Sequence, residues 1–270
     1  MMDDLKKNAK KLVLLTNDDG IGSPGLKALA EALDPLCELL IVAPRFQQTG
    51  MGRGALSGDQ VGIIQKLTLN INGKELKAYS VYGSPAQSVV HGILELTNKK
   101  PDYCISGINY GENLGLAFTC SGTLGATFEA DSWGIPAIAF SRSIPHQYQK
   151  SEDFMTLDWE IEKVMVQRLI SDILEKGMPD QVKILNVNFP TNMTSNTEVR
   201  MTKQAYMNYG NYIHPGQRDY SQGHQLEWRI NNRLHEAPKD SDIYAIHFDQ
   251  VISVTPMTSL MSVDADTYHR

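Results

Sequence analysis

The chain of 270 residues lacks several features that mark common classes of protein. Its three cysteines form no Cys-x-x-Cys pair, which argues against a disulfide framework and favours reduced, buried thiols at Cys37, Cys104 and Cys120 in a cytoplasmic protein. No apolar run is long enough to span a bilayer, so we expect no membrane partner. Asp and Glu number 31 against 25 Lys and Arg, which argues against a nucleic-acid scaffold.

Two motifs bear on the turn after the first apolar run. Gly20, Gly22 and Gly25 have the Gly-x-Gly-x-x-Gly spacing, but this spacing alone does not identify a dinucleotide-dependent dehydrogenase. The turn has no Asp-x-Asp, because Asp18 and Asp19 are adjacent. This disfavours a phosphatase of the haloacid-dehalogenase type that forms a covalent aspartyl intermediate. Residues 1–11 carry charges and no apolar core, so we expect no signal peptide.

The most informative stretch runs from residue 12 to residue 20. Four aliphatic residues lead directly into a polar segment that contains Asp18, Asp19 and Gly20. Such a run is typical of a strand buried on both faces, and open α/β folds bind ligands at the carboxyl edge of these strands. Two adjacent carboxylates repel each other unless a cation lies between them, so we expect a divalent cation. These residues alone also fit an ordinary strand-to-turn exit.

Strands and helices alternate along the first 190 residues. Apolar patterns, caps and Gly or Pro stops predict strands near 12–15, 39–43, 103–106, 135–140 and 183–189, and helices starting at Pro24 (capped by Ser23), over 84–96, over 123–132 and over 152–176. Ser84 and Gln87 have the spacing of a capping box. The pair Asn72-Gly73 marks an antiparallel hairpin within 67–81, at the edge of the sheet. This alternation predicts a doubly wound α/β fold with a mostly parallel sheet.

The alternation ends after residue 190. We expect residues 1–195 to form the catalytic core and residues 196–270 to form a β-rich extension. The stretch from 200 to 257 is rich in Tyr, Trp, Arg and His, and the first three are enriched in the cores of protein interfaces. We therefore expect the extension to make a homodimer, or a tetramer. The alternative is that it only packs back on its own sheet.

Polar clusters follow three further predicted elements. Thr49 and Gly50 follow the second strand, Asn109 and Asn113 follow the strand at 103–106, and Ser121-Gly122-Thr123 leads into a helix. Each cluster alone also fits a loop, a glycine-rich turn or a plain helix cap. Together they place hydroxyl and amide oxygens beside two carboxylates, which suits Mg²⁺ or Mn²⁺. A helix N-terminus suits a phosphate, so the combination predicts metal-assisted phosphoester hydrolysis.

Several motifs, in matching order over roughly residues 12 to 257, resemble the SurE family of nucleoside-monophosphate phosphatases. They are Thr16-Asn17-Asp18-Asp19-Gly20-Ile21, Ser23-Pro24-Gly25, Ala43-Pro44, Thr49-Gly50, Tyr82-Gly83-Ser84-Pro85-Ala86, Ser106-Gly107-Ile108-Asn109, Gly111, Asn113, Ser121-Gly122-Thr123, Leu185-Asn186-Val187-Asn188 and Val254-Thr255-Pro256. The resemblance implies a Rossmann-like core and a C-terminal extension used in dimerisation. It also implies one divalent cation per subunit, Mg²⁺ or Mn²⁺, and hydrolysis of nucleoside 5′- and 3′-monophosphates, with some cleavage of short polyphosphate.

The resemblance also implies a role for individual residues. Asp18 and Asp19 match the metal aspartates of the family and are the catalytic candidates, with Asn109 as the metal asparagine. Thr49 stands where the family usually has a serine ligand. The expected phosphate and substrate contacts are Asn17, Gly50, Asn113, Ser121, Gly122 and Thr123.

Two questions stay open from the sequence. Asp18 is expected to orient or deprotonate the attacking water, but direct attack by a carboxylate would use the same residues. A non-catalytic nucleotide-binding module of the stress response would have the same sheet edge and turn over no substrate. Gln87 departs from the acidic residue common in the family at its position, and the capping box accepts either residue.

Overall fold

The computed structural model describes residues 10–149 and 153–263. The strands are β1 Leu12–Thr16, β2 Glu38–Pro44, β3 Ile64–Ile71, β4 Lys74–Val81, β5 Tyr103–Tyr110, β6 Ala137–Arg142, β7 Ile184–Phe189, β8 Val199–Met201, β9 Gly210–Tyr212, β10 Trp228–Ile230 and β11 Ile252–Met257. The helices are α1 Pro24–Leu33, α2 Pro85–Glu95, α3 Gly122–Ser132, α4 Glu160–Lys176 and the single turn α5 Asp242–Tyr244. Short 3₁₀ turns lie at Gly115–Cys120, His146–Tyr148 and Leu234–Glu236, and Ala245–Asp249 forms a π turn.

Nine strands form one sheet in the order β3-β4-β2-β1-β5-β6-β7-β11-β8, and β9 pairs with β10 in a separate two-stranded sheet. The six neighbouring strands β4, β2, β1, β5, β6 and β7 are parallel to one another. Strand β3 runs antiparallel to β4, and β11 runs antiparallel to β7. The predicted α/β fold with a mostly parallel sheet is therefore confirmed. The carboxyl ends of β1, β2 and β5 open at one edge, as the sequence argument requires.

Alternate side chains of β1 point to opposite faces of the sheet, and each face has its own apolar layer. Val13 and Leu15 pack with α1 and α4. Leu12 and Leu14 pack with α2 and α3. Because helices cover both faces, β1 is buried along its whole length, and its polar continuation can reach solvent only at the edge of the sheet.

The predicted hairpin and capping box are both present. Asn72 and Gly73 have φ angles of 52° and 76°, as a type I′ turn requires at its two central residues, and β3 is the edge strand. Ser84 accepts a hydrogen bond from the Gln87 N–H, and the Gln87 side chain accepts one from the Ser84 N–H. The amide of Gln87 also pairs with both backbone groups of Leu56, a contact that the local sequence does not reveal.

Helix α4 begins at Glu160, whereas the sequence pattern predicted a start at residue 152. The prediction is wrong for residues 153–159, which are not helical. Residue 152 itself lies outside the described residues. The apolar residues that extended the helical pattern, Phe154, Met155 and Leu157, pack against the core from an irregular segment. The Tyr110 hydroxyl donates to the Met155 carbonyl (3.1 Å) and helps to hold that segment.

Two smaller expectations are also corrected. Ser23 is at the N-cap position of α1, but its side chain makes no capping hydrogen bond. Cys37 and Cys104 are buried as predicted, whereas Cys120 is exposed. Cys120 ends a 3₁₀ turn that lies beside the cavity described below, so the helix that follows it does not cover the thiol.

The C-terminal part of the chain both completes the main sheet and forms a separate small cluster. Strands β11 and β8 extend the sheet beyond β7. An apolar cluster separate from the two layers of the sheet is formed by Leu114, Ala205, Tyr209, Leu234, Ala237, Ile243 and Ile246. The buried Asp242 carboxylate accepts hydrogen bonds from the N–H groups of Gly115 and Ala205, and these bonds attach the cluster to the loop after β5. In the part of the chain that the structure describes, no helix has the length and apolar character of a membrane span.

Candidate active site

Asp18 and Asp19 follow β1 directly, and both side chains are only 3% exposed. The Asp19 carboxylate accepts a hydrogen bond from the N–H of Tyr110 at the end of β5 (3.0 Å) and a longer one from Gln47 (3.4 Å). The Asp18 carboxylate accepts one from the Thr123 hydroxyl (2.7 Å). The two neighbours therefore point toward different elements, Asp19 toward the end of β5 and Asp18 toward α3.

Helix α3 begins beside Asp18 because residue 122 has no side chain. A Cβ atom built at Gly122 would lie 2.7 Å from the Asp18 Cβ and 2.8 Å from its Oδ2. The helix is capped by Ser121, whose hydroxyl accepts from the Leu124 N–H. The free N–H groups and the positive dipole end of α3 thus lie next to a carboxylate, and they favour an anion there.

Burial makes the negative charge of both aspartates unfavourable. It raises the pKa of Asp18 to about 6. Burial, followed by repulsion from Asp18, raises the pKa of Asp19 to about 8. A bound cation would remove this penalty, because it supplies the opposite charge that neither carboxylate finds among its own hydrogen-bond donors.

Asn109 lies near the end of β5, where the pairing with β6 shifts register between Ser106 and Asn109. Its Nδ2 donates to the Gly111 carbonyl (2.7 Å), which fixes the orientation of the amide and leaves its oxygen as the atom suited to a cation. Thr49 is exposed in the loop that follows β2. Its hydroxyl makes one long contact, of 3.5 Å, to the Gln149 carbonyl.

Asn113 is held by a network of asparagines. Its N–H donates to Asn188 Oδ1, and its carbonyl accepts from the side-chain amides of Asn186 and Asn188. Its own Nδ2 donates to the hydroxyls of Ser141 (2.8 Å) and Thr123 (3.3 Å). Asn113 is thereby linked through Thr123 to Asp18. The motif at 185–188 in the sequence pointed to Asn186 and Asn188, but not to this supporting role.

A cavity of about 270 Å³ opens at this edge of the sheet. Six of the predicted site residues line it, namely Asp18, Thr49, Gly50, Asn109, Asn113 and Ser121. The other four lie behind the wall: Asn17, Asp19, Gly122 and Thr123 are buried within the loop and helix that carry the lining residues. Asn17 donates to the Gly20 carbonyl (2.9 Å), so it shapes the turn that presents the aspartates.

The opposite wall of the cavity contains residues that the sequence argument did not identify. They are Tyr110, Glu112, His146, Gln149, Asn208, Tyr209, Tyr212 and Trp228. Burial raises the pKa of Glu112, while hydrogen bonds from Ser143 and Tyr209 oppose this shift. Tyr110 and Glu112 lie beside the predicted Asn109 and Asn113, whereas the others come from distant parts of the chain with no shared motif. Only the richness of 200–257 in aromatic residues gave a signal for some of them.

The donor atoms at this edge fit a hard divalent cation. Two carboxylates, one amide oxygen and one hydroxyl are all oxygen ligands, and Mg²⁺ typically uses one or two carboxylates together with water and substrate phosphate. Within residues 10–149 and 153–263, no cluster of three or more His, Cys, Asp or Glu side chains forms a metal site. A cation held by the four oxygen donors named above would keep positions open for water and substrate.

Comparisons with known proteins relate the chain to one family. The family model described as Survival protein SurE matches residues 13–211. A protein of Methanocella arvoryzae named 5′-nucleotidase SurE is 37% identical over 248 residues, 91% of each chain. One of Methanothrix thermoacetophila with the same name is 37% identical over 253 residues, covering 91% of this chain and 92% of the relative. The crystal structure of the SurE protein from Aquifex aeolicus superposes with a TM-score of 0.69 at 29% identity, covering 93% of this chain and 94% of that one.

Proposed function

The chain belongs to the SurE family, and we propose that it is a metal-dependent phosphatase that hydrolyses nucleoside 5′- and 3′-monophosphates to a nucleoside and phosphate. The observation that carries this proposal is the pair of buried aspartates at the carboxyl end of β1, beside the N-terminus of α3. One side of this arrangement suits a cation and the other suits a phosphate anion. Short polyphosphate, which presents the same phosphoryl groups, is included as a further substrate.

We assign the cation to Asp18, Asp19, Asn109 and Thr49, with Mg²⁺ or Mn²⁺ as the candidates and one ion per subunit. When bound, such an ion polarises a phosphoryl oxygen and lowers the pKa of a coordinated water. The raised pKa values of the two buried aspartates support this assignment, because a cation offsets the cost of keeping both ionised. Thr49 is included because it lines the same cavity and offers a hydroxyl oxygen.

The phosphate is assigned to the N-terminus of α3 and to the small residues around it. Ser121, Gly122 and Thr123 supply N–H groups, and Ser121 also supplies a hydroxyl, while Gly50 and Asn113 face the same cavity. The role of Asn17 is to hold the turn that contains Asp18 and Asp19 through its bond to the Gly20 carbonyl. A phosphate in this position would be neutralised from one side by the helix dipole and from the other by the cation.

Asp18 is the residue that we assign to the attacking water. It lines the cavity, and the Thr123 hydroxyl fixes one of its oxygens. The second carboxylate oxygen of Asp18 can orient the water. It can take a proton from that water as the water oxygen attacks phosphorus. The bond from phosphorus to the nucleoside oxygen breaks in line, and that oxygen leaves with the electron pair. It gains a proton from solvent, to which Asp18 then releases the proton that it took from the water.

We further propose that residues 196–270 form an oligomerisation extension, and that the enzyme acts in the cytoplasm as a homodimer or tetramer. Large aromatic side chains of this part are exposed in the single chain, with Tyr206 at 93%, Tyr220 at 86% and Tyr212 at 64%. Exposed aromatic side chains are typical of surfaces that become buried in an interface.

The test of the proposed activity is phosphate release from a panel of substrates. Purified protein is assayed with AMP, 3′-AMP, other nucleoside monophosphates and tripolyphosphate, first with Mn²⁺ or Mg²⁺ and then after treatment with EDTA. Release of phosphate from the monophosphates that EDTA abolishes and added metal restores would support the proposal. Binding of AMP without any release of phosphate would instead indicate a nucleotide-binding module.

A further inference from the structure

Two aromatic rings stack on the wall of the candidate cavity. The imidazole of His146 and the indole of Trp228 have centroids 4.4 Å apart and planes that differ by 6°. His146 lies in the 3₁₀ turn after β6, and Trp228 begins β10. The two rings therefore come from separate parts of the chain and meet only in the folded protein.

The indole rests on the backbone of β9. A Cβ atom built at Gly210 would lie between 1.8 and 2.6 Å from atoms of the Trp228 ring, so the ring occupies the space that any other residue would need for its side chain. The layers are thus the Gly210 backbone, the indole and the imidazole. His146 is exposed, so the stack presents an aromatic surface to the cavity.

One half-buried carboxylate lies between the two halves of the stack. The Glu112 carboxylate interacts with the hydroxyls of Ser143, which precedes the His146 turn, and of Tyr209, which directly precedes Gly210, and both hydroxyls lower its pKa. Gln149 adds a longer bond of 3.4 Å to the same carboxylate. Because the two ring-bearing segments are tied to one group, the stack is organised before a ligand arrives, which reduces the entropy lost on binding.

We propose that His146 and Trp228 form the platform on which the nucleobase of the substrate stacks. This inference rests on the proposed nucleotidase function, because the same cavity holds Asp18, Asn109 and Ser121 on its other walls. Every nucleobase has a π face, so a stacking platform accepts all bases and gains more from purines than from pyrimidines. The platform would thus select nucleoside monophosphates over phosphomonoesters without a base.

The kinetic test compares AMP with ribose 5-phosphate, which has the same ester and no base. The substitution His146→Ala should raise KM for AMP about 10-fold, since the base loses the aromatic side chain on which it stacks. It should leave kcat for AMP and kcat/KM for ribose 5-phosphate within about twofold. His146→Phe should restore the KM for AMP, because it keeps a flat ring.

The matched control is His214→Ala, which removes a histidine from an exposed loop outside the cavity and should change neither substrate. The platform is overturned if His146→Ala affects AMP no more than His214→Ala does. It is also overturned if His146→Ala lowers kcat/KM for AMP and for ribose 5-phosphate by the same factor, because the residue would then act on the shared ester.

A binding measurement separates this inference from the proposed activity. AMP should quench tryptophan fluorescence, the quench should be lost in Trp228→Phe, and it should persist in Trp133→Phe, whose indole lies outside this cavity. If the wild-type protein with Mn²⁺ releases phosphate from neither substrate, the nucleotidase proposal fails, and the quench alone then decides the platform. An equal quench in the wild type and in Trp228→Phe would refute it.

Discussion

At the scale of single residues, the candidate site depends on close approaches as much as on charged groups. Asp18 can lie against the start of α3 because Gly122 has no side chain, and Thr123 then reaches the carboxylate. Burial beside a like charge is unfavourable for both aspartates, and this cost is characteristic of sites built to hold a cation or to transfer protons. The geometry therefore links one glycine to the electrostatics of the whole site.

The first prediction concerns this glycine. Gly122→Ala should lower the free energy of unfolding by about 1–3 kcal/mol, because the added methyl group overlaps the Asp18 side chain. It should also reduce phosphatase activity by displacing that carboxylate. Gly22→Ala is the matched control, since a Cβ there meets no atom within 4 Å. If urea unfolding and activity change equally in both variants, the close approach has no functional importance.

The second prediction tests the hydroxyl of Thr49. Thr49→Ser should keep activity within about twofold, whereas Thr49→Val, which preserves the shape but removes the oxygen, should weaken metal activation about 10-fold. The measurement is the Mn²⁺ concentration that gives half-maximal phosphate release. Equal values for the Ser and Val variants would show that the hydroxyl is not a ligand.

The residues of the site differ in how far the sequence reveals them. Asp18, Asn109 and the motif at 121–123 stand directly at the ends of strands or at the start of a helix, so local pattern and topology place them together. His146 and Trp228 have no such signal, because they reach the cavity through the packing of loops and of the C-terminal segment. Local periodicity carries no information about contacts of that kind.

At the scale of secondary-structure elements, helix α2 is joined to the loop before β3. The Gln87 side chain completes the capping box, and it also accepts from the Leu56 N–H (2.9 Å) and donates to the Leu56 carbonyl (3.1 Å). A glutamate would serve the capping box equally well but has no N–H to give to that carbonyl. The pairing with Leu56 thus gives a physical reason for an amide at this position.

The third prediction follows from this pairing. Gln87→Glu should lower the free energy of unfolding by about 1 kcal/mol, because the Leu56 carbonyl loses its donor and faces a carboxylate instead. Gln65→Glu, on the exposed face of β3, is the control and should be nearly neutral. The free energy of unfolding of the two variants is measured by urea denaturation. If Gln87→Glu changes it as little as Gln65→Glu does, the loop does not depend on this bond.

The ends of helices and strands could be predicted where turn or capping residues mark them in the sequence. The hairpin at Asn72-Gly73 and the capped start of α2 are examples, because the turn and the cap are encoded by a few adjacent residues. The start of α4 was not predictable in this way. Apolar residues before Glu160 continue the helical spacing but are buried from an irregular segment instead, so tertiary packing overrides the local pattern.

At the scale of the whole molecule, the C-terminal part joins the sheet through β8 and β11 and leaves aromatic side chains on the surface. The fourth prediction is that light scattering at micromolar concentration gives at least twice the chain mass of 30.1 kDa. Replacing the exposed Tyr206 and Tyr220 by serine should shift the equilibrium toward the single chain. A monomer in the wild type would refute the proposed role of residues 196–270 in assembly.

The central claim is that the adjacent aspartates after β1 together hold a catalytic cation. Phosphate release from AMP at saturating Mn²⁺ tests it most directly, in the wild type and in Asp18→Asn and Asp19→Asn. Each variant should remain folded and lose activity by about 100-fold or more, because each loses one of the two charges that bind the ion. A rate near that of the wild type in either variant, with metal saturating, would contradict the claim.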